Sequence, residues 1–220
     1  MKKHILCFGD SNTHGYCADP NDCADSAFGR FNEEERWTCL LQKKLGDAYL
    51  VIEEGLSGRT TVFPDPVEDG LCGIDYLWPC MKSHKPIDLL IIMLGTNDTK
   101  ARFSAHAHTI SRGMERLVES VLHRDCWTEK GSNVLVICPP PIGEGMITSP
   151  VHPEMGADAV EKSRQLPAYY RIVCENLGVH FLDAGAAGIT FNEVDFMHLT
   201  KSSHKAMAEL LANLIPTLVS

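Results

Sequence analysis

Residues 88–94, Asp-Leu-Leu-Ile-Ile-Met-Leu, restrict the fold more than any other part of this chain. A strand with one wet face alternates polar and apolar residues. A nearly continuous apolar run belongs to a strand covered on both faces, as in a parallel sheet between two helical layers. Four more β-type runs, at 4–8, 49–53, 133–138 and 179–182, alternate with helical patterns at 33–45, 70–81, 105–123, 158–176 and 202–218. The last of these sets Ala206, Met207, Leu210, Leu211, Leu214, Ile215 and Leu218 on one helical face. Alternation of this kind predicts an α/β protein, a three-layer α/β/α sandwich around a five-stranded parallel sheet with right-handed crossovers. No repeat or linker interrupts the pattern, so one domain over 1–220 is expected, long enough to close a sizeable core.

One segment does not fit the alternation. Residues 139–157 hold five prolines and have no periodic pattern, too long a stretch for a simple connector. The segment reads as a functional loop, and its Met146, Ile147, Val151 and Met155 suggest a surface buried in a homo-oligomer.

Charge and cysteine usage narrow the function classes. The formal net charge of −9 excludes a basic footprint for nucleic acid or an anionic membrane. The apolar run 5–8 stops at Gly9, too early for a signal peptide, and no run reaches the length of a membrane span. Nine cysteines without a C-x-x-C pair, two of them (Cys7 and Cys138) inside apolar strands, fit reduced thiols in the cytoplasm. The same spacing gives no sign of a zinc site, and no cofactor is expected.

The chemistry-bearing patterns fall at strand ends, where ligands bind in parallel α/β sheets. Gly9-Asp10-Ser11 follows the first strand, where a Gly-assisted turn can lift the Ser11 hydroxyl and N–H into a cleft. Gly58 lies in the loop after the second strand, and its N–H can donate to a developing oxyanion. Asn97, in Gly95-Thr96-Asn97-Asp98, follows the third strand with a side-chain amide able to do the same. Asp195-Phe196-Met197-His198 precedes the last helix. Its spacing lets the carboxylate accept from imidazole Nδ1–H and leaves Nε2 to take a serine proton. Each pattern alone also reads as an ordinary turn or cap. Four together, in the order nucleophile, donor, donor, acid–base, point to nucleophilic acyl transfer. Asp183 also ends a strand, but it reads as a brace for the turn that follows.

These blocks resemble the GDSL/SGNH hydrolase family over nearly the whole chain. Ile-Leu-Cys-Phe-Gly-Asp-Ser at 5–11, Glu-Glu-Gly-Leu-Ser-Gly-Arg-Thr-Thr at 53–61 and Ile-Ile-Met-Leu-Gly-Thr-Asn-Asp-Thr-Lys at 91–100 are most similar to its mycobacterial arylesterase/acyltransferase branch. The resemblance implies a serine esterase for small esters, able to transfer acyl groups. It carries over Ser11, Asp195 and His198 as the catalytic triad, with the Ser11 and Gly58 N–H groups and the Asn97 amide as oxyanion hole. Asn12 stands where the branch has leucine, His14 and Tyr16 where it has tryptophan, and Gly58 where it has alanine. Asn12, His14 and Phe63 are expected to border the substrate and to favour short acyl groups. Other readings are a carbohydrate O-acetylesterase, a lysophospholipase, or a catalytically silent binding domain of the same fold.

Overall fold

The computed structural model describes residues 2–220. Five parallel strands form one sheet: β1 (Lys3–Gly9), β2 (Tyr49–Gly55), β3 (Leu89–Met93), β4 (Val134–Cys138) and β5 (His180–Asp183). Their order across the sheet is β2-β1-β3-β4-β5. The helices are α1 (Ser11–His14), α2 (Trp37–Leu45), α3 (Gly73–His84), α4 (Ala107–Leu122), α5 (His152–Met155), α6 (Ala159–Leu177) and α7 (Lys201–Leu218). Every residue of β3 and β4 is buried, as the apolar runs required.

The sheet has two dry faces with separate cores. Leu6, Phe8, Leu90, Ile92 and Val136 pack against α3, α4 and α6. Their neighbours along the same strands, Ile5, Cys7, Leu89, Ile91 and Leu135, pack against α2 and α7. Side chains alternate along a strand, so adjacent residues serve opposite layers. Among the described residues no helix is long and apolar enough to cross a membrane.

Two helices, α2 and α3, start well after the point their periodicity suggests. The expected helix from 33 begins at Trp37, because Glu35 turns back to accept the N–H groups of Ala24 and Asn32 and keeps 32–36 in a turn. The expected helix from 70 begins at Gly73 and runs through Pro79 to His84. The 139–157 segment is also more ordered than expected, holding a 3₁₀ turn at Glu144–Thr148 and the short α5. Met146 and Met155 are fully buried in a small cluster with Ile142, Ala159 and Val160, and Val151 packs against it. Only Ile147 of the four apolar residues is exposed, at 45%. The loop therefore buries its own apolar surface, which removes the reason for expecting an oligomer there.

The strand order fixes the site. The chain leaves β1 toward β2 on one side and returns to β3 on the other, so the carboxyl ends of β1 and β3 flank a topological switch point. Gly9 pairs with Gly55 on one side and with Met93 on the other, which levels the three strand ends. The loops carrying Ser11, Gly58 and Asn97 start from those ends.

Candidate active site

Ser11 is the first residue of α1, a single turn capped by Asp10, whose carboxylate accepts the Asn12 N–H at 2.9 Å. The N–H groups of Thr13 and His14 bond to the Asp10 carbonyl. The Ser11 N–H is a first-turn donor for which the helix supplies no acceptor. Gly9 permits this tight exit: a Cβ there would lie 2.1 Å from Thr13 Oγ1 and 2.9 Å from the Met93 carbonyl.

Across the cleft, the turn before α7 brings Asp195 and His198 together. Phe196, between them, takes a φ of 63°, a left-handed conformation that costs a bulky residue energy. His198 Nδ1 lies 2.6 Å from Asp195 Oδ2, and His198 Nε2 lies 2.8 Å from Ser11 Oγ. All three residues are buried. The other Asp195 oxygen accepts the Asn192 amide and the N–H groups of Met197 and His198. Burial works to raise the Asp195 carboxyl, but these bonds and the adjacent imidazole outweigh it and hold the group down to about 2.

Asn97 opens a 3₁₀ turn after β3 and gives one amide hydrogen to the Arg59 carbonyl at 3.2 Å. A primary amide carries a second donor, so one remains for a ligand. Gly58, with φ of 85°, lines the same cleft. A Cβ at this position would stand 2.9 Å from Leu71, so the local backbone explains glycine here where the resembling branch has alanine. Arg59 locks the loop in place, donating to the carbonyls of Gly9 and Glu54 while its guanidinium lies 4.1 Å from the Phe8 ring centroid.

Ser11, Gly58, Asn97, Asp195 and His198 thus meet in one cleft of about 280 Å³. The three residues expected to border substrate are not in its lining. Asn12 is buried and both ends of its amide are engaged: Oδ1 accepts the Leu199 N–H at 2.9 Å and Nδ2 donates to the Met197 carbonyl at 3.2 Å. It clamps the two residues flanking His198. His14 packs where β2 ends, its backbone N against Gly55 and its carbonyl bonded to Arg30. Phe63 packs on Phe103, beside the core between the sheet and α4. Of the residues after the nucleophile, Asn12 holds the backbone on either side of His198, and His14 lies outside the lining of the cleft.

Other residues form the walls. The Tyr16 ring lies 4.5 Å from the His198 imidazole, and Lys100, Glu154, Glu68 and Met197 complete much of the rim. Lys100 Nζ pairs with Glu154 at 2.8 Å, Arg102 bridges Glu154 at 2.7 Å, and Arg102 reaches Asp65 at 3.0 Å. This chain of charges ties the glycine-block loop, the Asn97 loop and α5 together. Lys100 directly follows Asn97-Asp98-Thr99, a signal the sequence offered. Asn192, which donates to both Asp195 and the His198 carbonyl, had no comparable signal. Asp183 accepts the Ala186 N–H at 3.0 Å and braces its turn, as expected.

A chain with this sheet and this cleft belongs to the GDSL-like lipase/acylhydrolase family, whose model matches residues 7–206. It is a carboxylic ester hydrolase, in line with the solved structures it is similar to. The native M. smegmatis aryl esterase is 38% identical, with 98% of this chain and 99% of that one covered and a TM-score of 0.87. A carbohydrate acetylesterase from Sinorhizobium meliloti is 35% identical over 99% and 100% of the two chains, also with a TM-score of 0.87. A lipase/acylhydrolase from Enterococcus faecalis shares the fold at 18% identity, covering 99% and 97% with a TM-score of 0.69. No match is found among curated proteins.

Proposed function

We propose that the protein hydrolyses short acyl esters by two-step transfer through an acyl-Ser11 intermediate. The observation carrying this reading is the unbroken hydrogen-bonded line from Ser11 Oγ through both nitrogens of His198 to Asp195. Ser11 Oγ attacks the ester carbonyl carbon while its proton passes to His198 Nε2. The Ser11 N–H, the Gly58 N–H and the free hydrogen of the Asn97 amide receive the oxyanion. Removal of one such donor typically costs about 3 kcal/mol of barrier. Collapse breaks the bond to the leaving alkoxide, which takes the proton from Nε2. Water, or a second alcohol where the acyl group is transferred, then attacks the acyl-enzyme as His198 again accepts a proton, and collapse breaks the Ser11 Oγ–acyl bond while that proton returns to Ser11. Asp195 holds the imidazole in the required tautomer and offsets the charge it gains.

The cleft supports a short acyl group, for a different reason from the one the sequence suggested. Asn12 and His14 lie outside the lining, but a cleft of about 280 Å³ with Lys100, Glu154 and Glu68 among its walls is small and polar-rimmed for a long acyl chain. Those walls suit a hydroxyl-bearing alcohol, which favours an O-acetylated sugar over a lysophospholipid. A panel of p-nitrophenyl esters from acetyl to decanoyl tests this. Each methylene an apolar pocket receives is worth roughly 0.8 kcal/mol, about fourfold in kcat/KM. We expect that rise to stop by butyryl. A steady rise through decanoyl would contradict the short-acyl reading while leaving the acyl-enzyme intact.

A further inference from the structure

At the sheet edge, away from the residues of the cleft, three side chains of metal-ligating type converge. Glu54 lies one residue before the end of edge strand β2, and Cys80 and His84 lie one turn apart on α3. An i, i+4 pair shares a helix face, and this face looks onto Glu54. One ligand atom from each residue falls within 4.8 Å of the other two. His84 Nε2 is 2.8 Å from Glu54 Oε1, and the Tyr76 hydroxyl donates to the other Glu54 oxygen at 3.3 Å.

We propose that Glu54, Cys80 and His84 form a binding site for a thiophilic divalent cation of the zinc type. One carboxylate oxygen, one sulfur and one imidazole nitrogen make a donor set that zinc takes in tetrahedral geometry. Three protein ligands leave the fourth position to solvent. Solvent has a route in: the His84 side chain is 33% exposed and Tyr76 is 40% exposed, whereas Cys80 is 1% exposed and forms the dry floor. A Cys-x-x-x-His pair completed by a glutamate from a strand is invisible to a search for C-x-x-C spacing.

Charge decides which ligands matter most. The Arg59 guanidinium lies 5.4 Å from the Tyr76 ring centroid and donates to the Glu54 carbonyl, so a cation entering here meets a positive neighbour. The Glu54 carboxylate and a Cys80 thiolate together cancel the charge of a divalent ion, and neither alone does. In the free protein, burial and then Glu54 push the Cys80 thiol up to about 12, so it is protonated at neutral pH. Binding breaks the S–H bond, forms an S–metal bond and releases the proton to buffer, with no change of oxidation state. The His84–Glu54 hydrogen bond opens as both groups turn to the metal.

Cobalt(II) reports on such a site directly, because thiolate ligation gives a near-ultraviolet charge-transfer band and tetrahedral geometry gives visible d–d bands. The full chain, free of any purification tag, is titrated with cobalt chloride without oxygen. We expect one cobalt per chain with both sets of bands, displaced by zinc, whose filled d shell carries no geometric preference and so takes a tetrahedral site at no cost. Cys80→Ala should abolish the charge-transfer band. His84→Ala and Glu54→Gln should each weaken binding about tenfold or more, equivalent to roughly 1.4 kcal/mol. Cys39→Ala should change nothing. His84 is partly exposed, so its variant should fold, and retained ester hydrolysis checks this separately from metal binding. No charge-transfer band in the native chain would overturn the proposal, as would bands that persist in both Cys80→Ala and His84→Ala. The cluster would then be an ordinary Glu–His bond beside a buried thiol.

Discussion

Asp195 and the pair Asp10 and Asp98 are aspartates buried around one cleft, yet their surroundings drive them in opposite directions. Both oxygens of Asp195 are occupied, by His198 Nδ1 on one side and by Asn192, Met197 and His198 on the other. Asp10 beneath Ser11 accepts one N–H on Oδ1, and its Oδ2 has no partner among the described residues. Asp98 accepts the Thr61 N–H and hydroxyl on Oδ1, and its Oδ2 is likewise without a partner there. Burial pushes Asp10 and Asp98 up to about 6, whereas Asp195 is held at about 2. Burial raises all three and is deepest at Asp10 and Asp98, so the outcome rests on how far other groups offset it. At Asp195 the donors and the adjoining imidazole outweigh a lesser burial, and at Asp10 and Asp98 the few donors do not outweigh a complete one.

The largest expected effect separates Asp195 from the other acids. Asp195→Asn should lower kcat about 10⁴-fold, because an amide favours the wrong imidazole tautomer. Asp183→Asn should leave kcat near the native value, since Asp183 only braces a turn. With both variants folded, a greater kcat loss in Asp183→Asn would reverse the two roles.

A smaller effect sharpens the other side of the comparison. An acid whose folded-state value is raised to about 6 binds its proton more tightly in the folded chain than in the unfolded one. Below about 4 both states are protonated and nothing is lost. Stability then falls as pH rises from about 4 to about 6, by roughly 3 kcal/mol for each such group. Asp195 runs the other way: its contribution is present above about 4 and is lost as pH falls toward about 2. Denaturant unfolding of native and Asp98→Asn protein at pH 4.5 and 7.5 checks this. The variant should lose about half as much stability between the two pH values, since Asp10 keeps its own share. Equal losses would show that Asp98 is ionised as readily in the folded chain as outside it.

The smallest effect concerns Asn12. Asn12→Ala removes both clamps on the residues flanking His198, so it should cost about 1–3 kcal/mol of stability and lower kcat. The KM for an acetyl ester should stay near its native value, because Asn12 lines no part of the cleft. A raised KM at native kcat would restore Asn12 to the substrate-binding role that the sequence suggested.

These residues show which features are legible in a sequence. The central strands were readable because a parallel sheet buried on both faces demands nearly unbroken apolar runs, and 88–94 supplies one. That Ser11, Asn97, Asp195 and His198 would meet in one cleft was readable because each sits in a short pattern at the end of an element. The direction of Asn12 and His14 was not, because α1 is one turn long and a rotation of a single residue decides between cleft and core. The burial of Met146 and Met155 was hidden for a similar reason: a Pro-rich segment has no period from which an inner face can be read. The Lys100–Glu154 pair joins residues far apart in sequence, and no local pattern reports that contact.

The central claim is that Ser11 is the nucleophile, and intact-mass spectrometry after treatment with a fluorophosphonate tests it most directly. The reagent phosphonylates an activated serine, with the Ser11 hydroxyl displacing fluoride. The account predicts one adduct per chain, peptide mapping that places it on Ser11, matching loss of ester hydrolysis, and no adduct on Ser11→Ala. An adduct on another residue, or undiminished hydrolysis by Ser11→Ala, would contradict it.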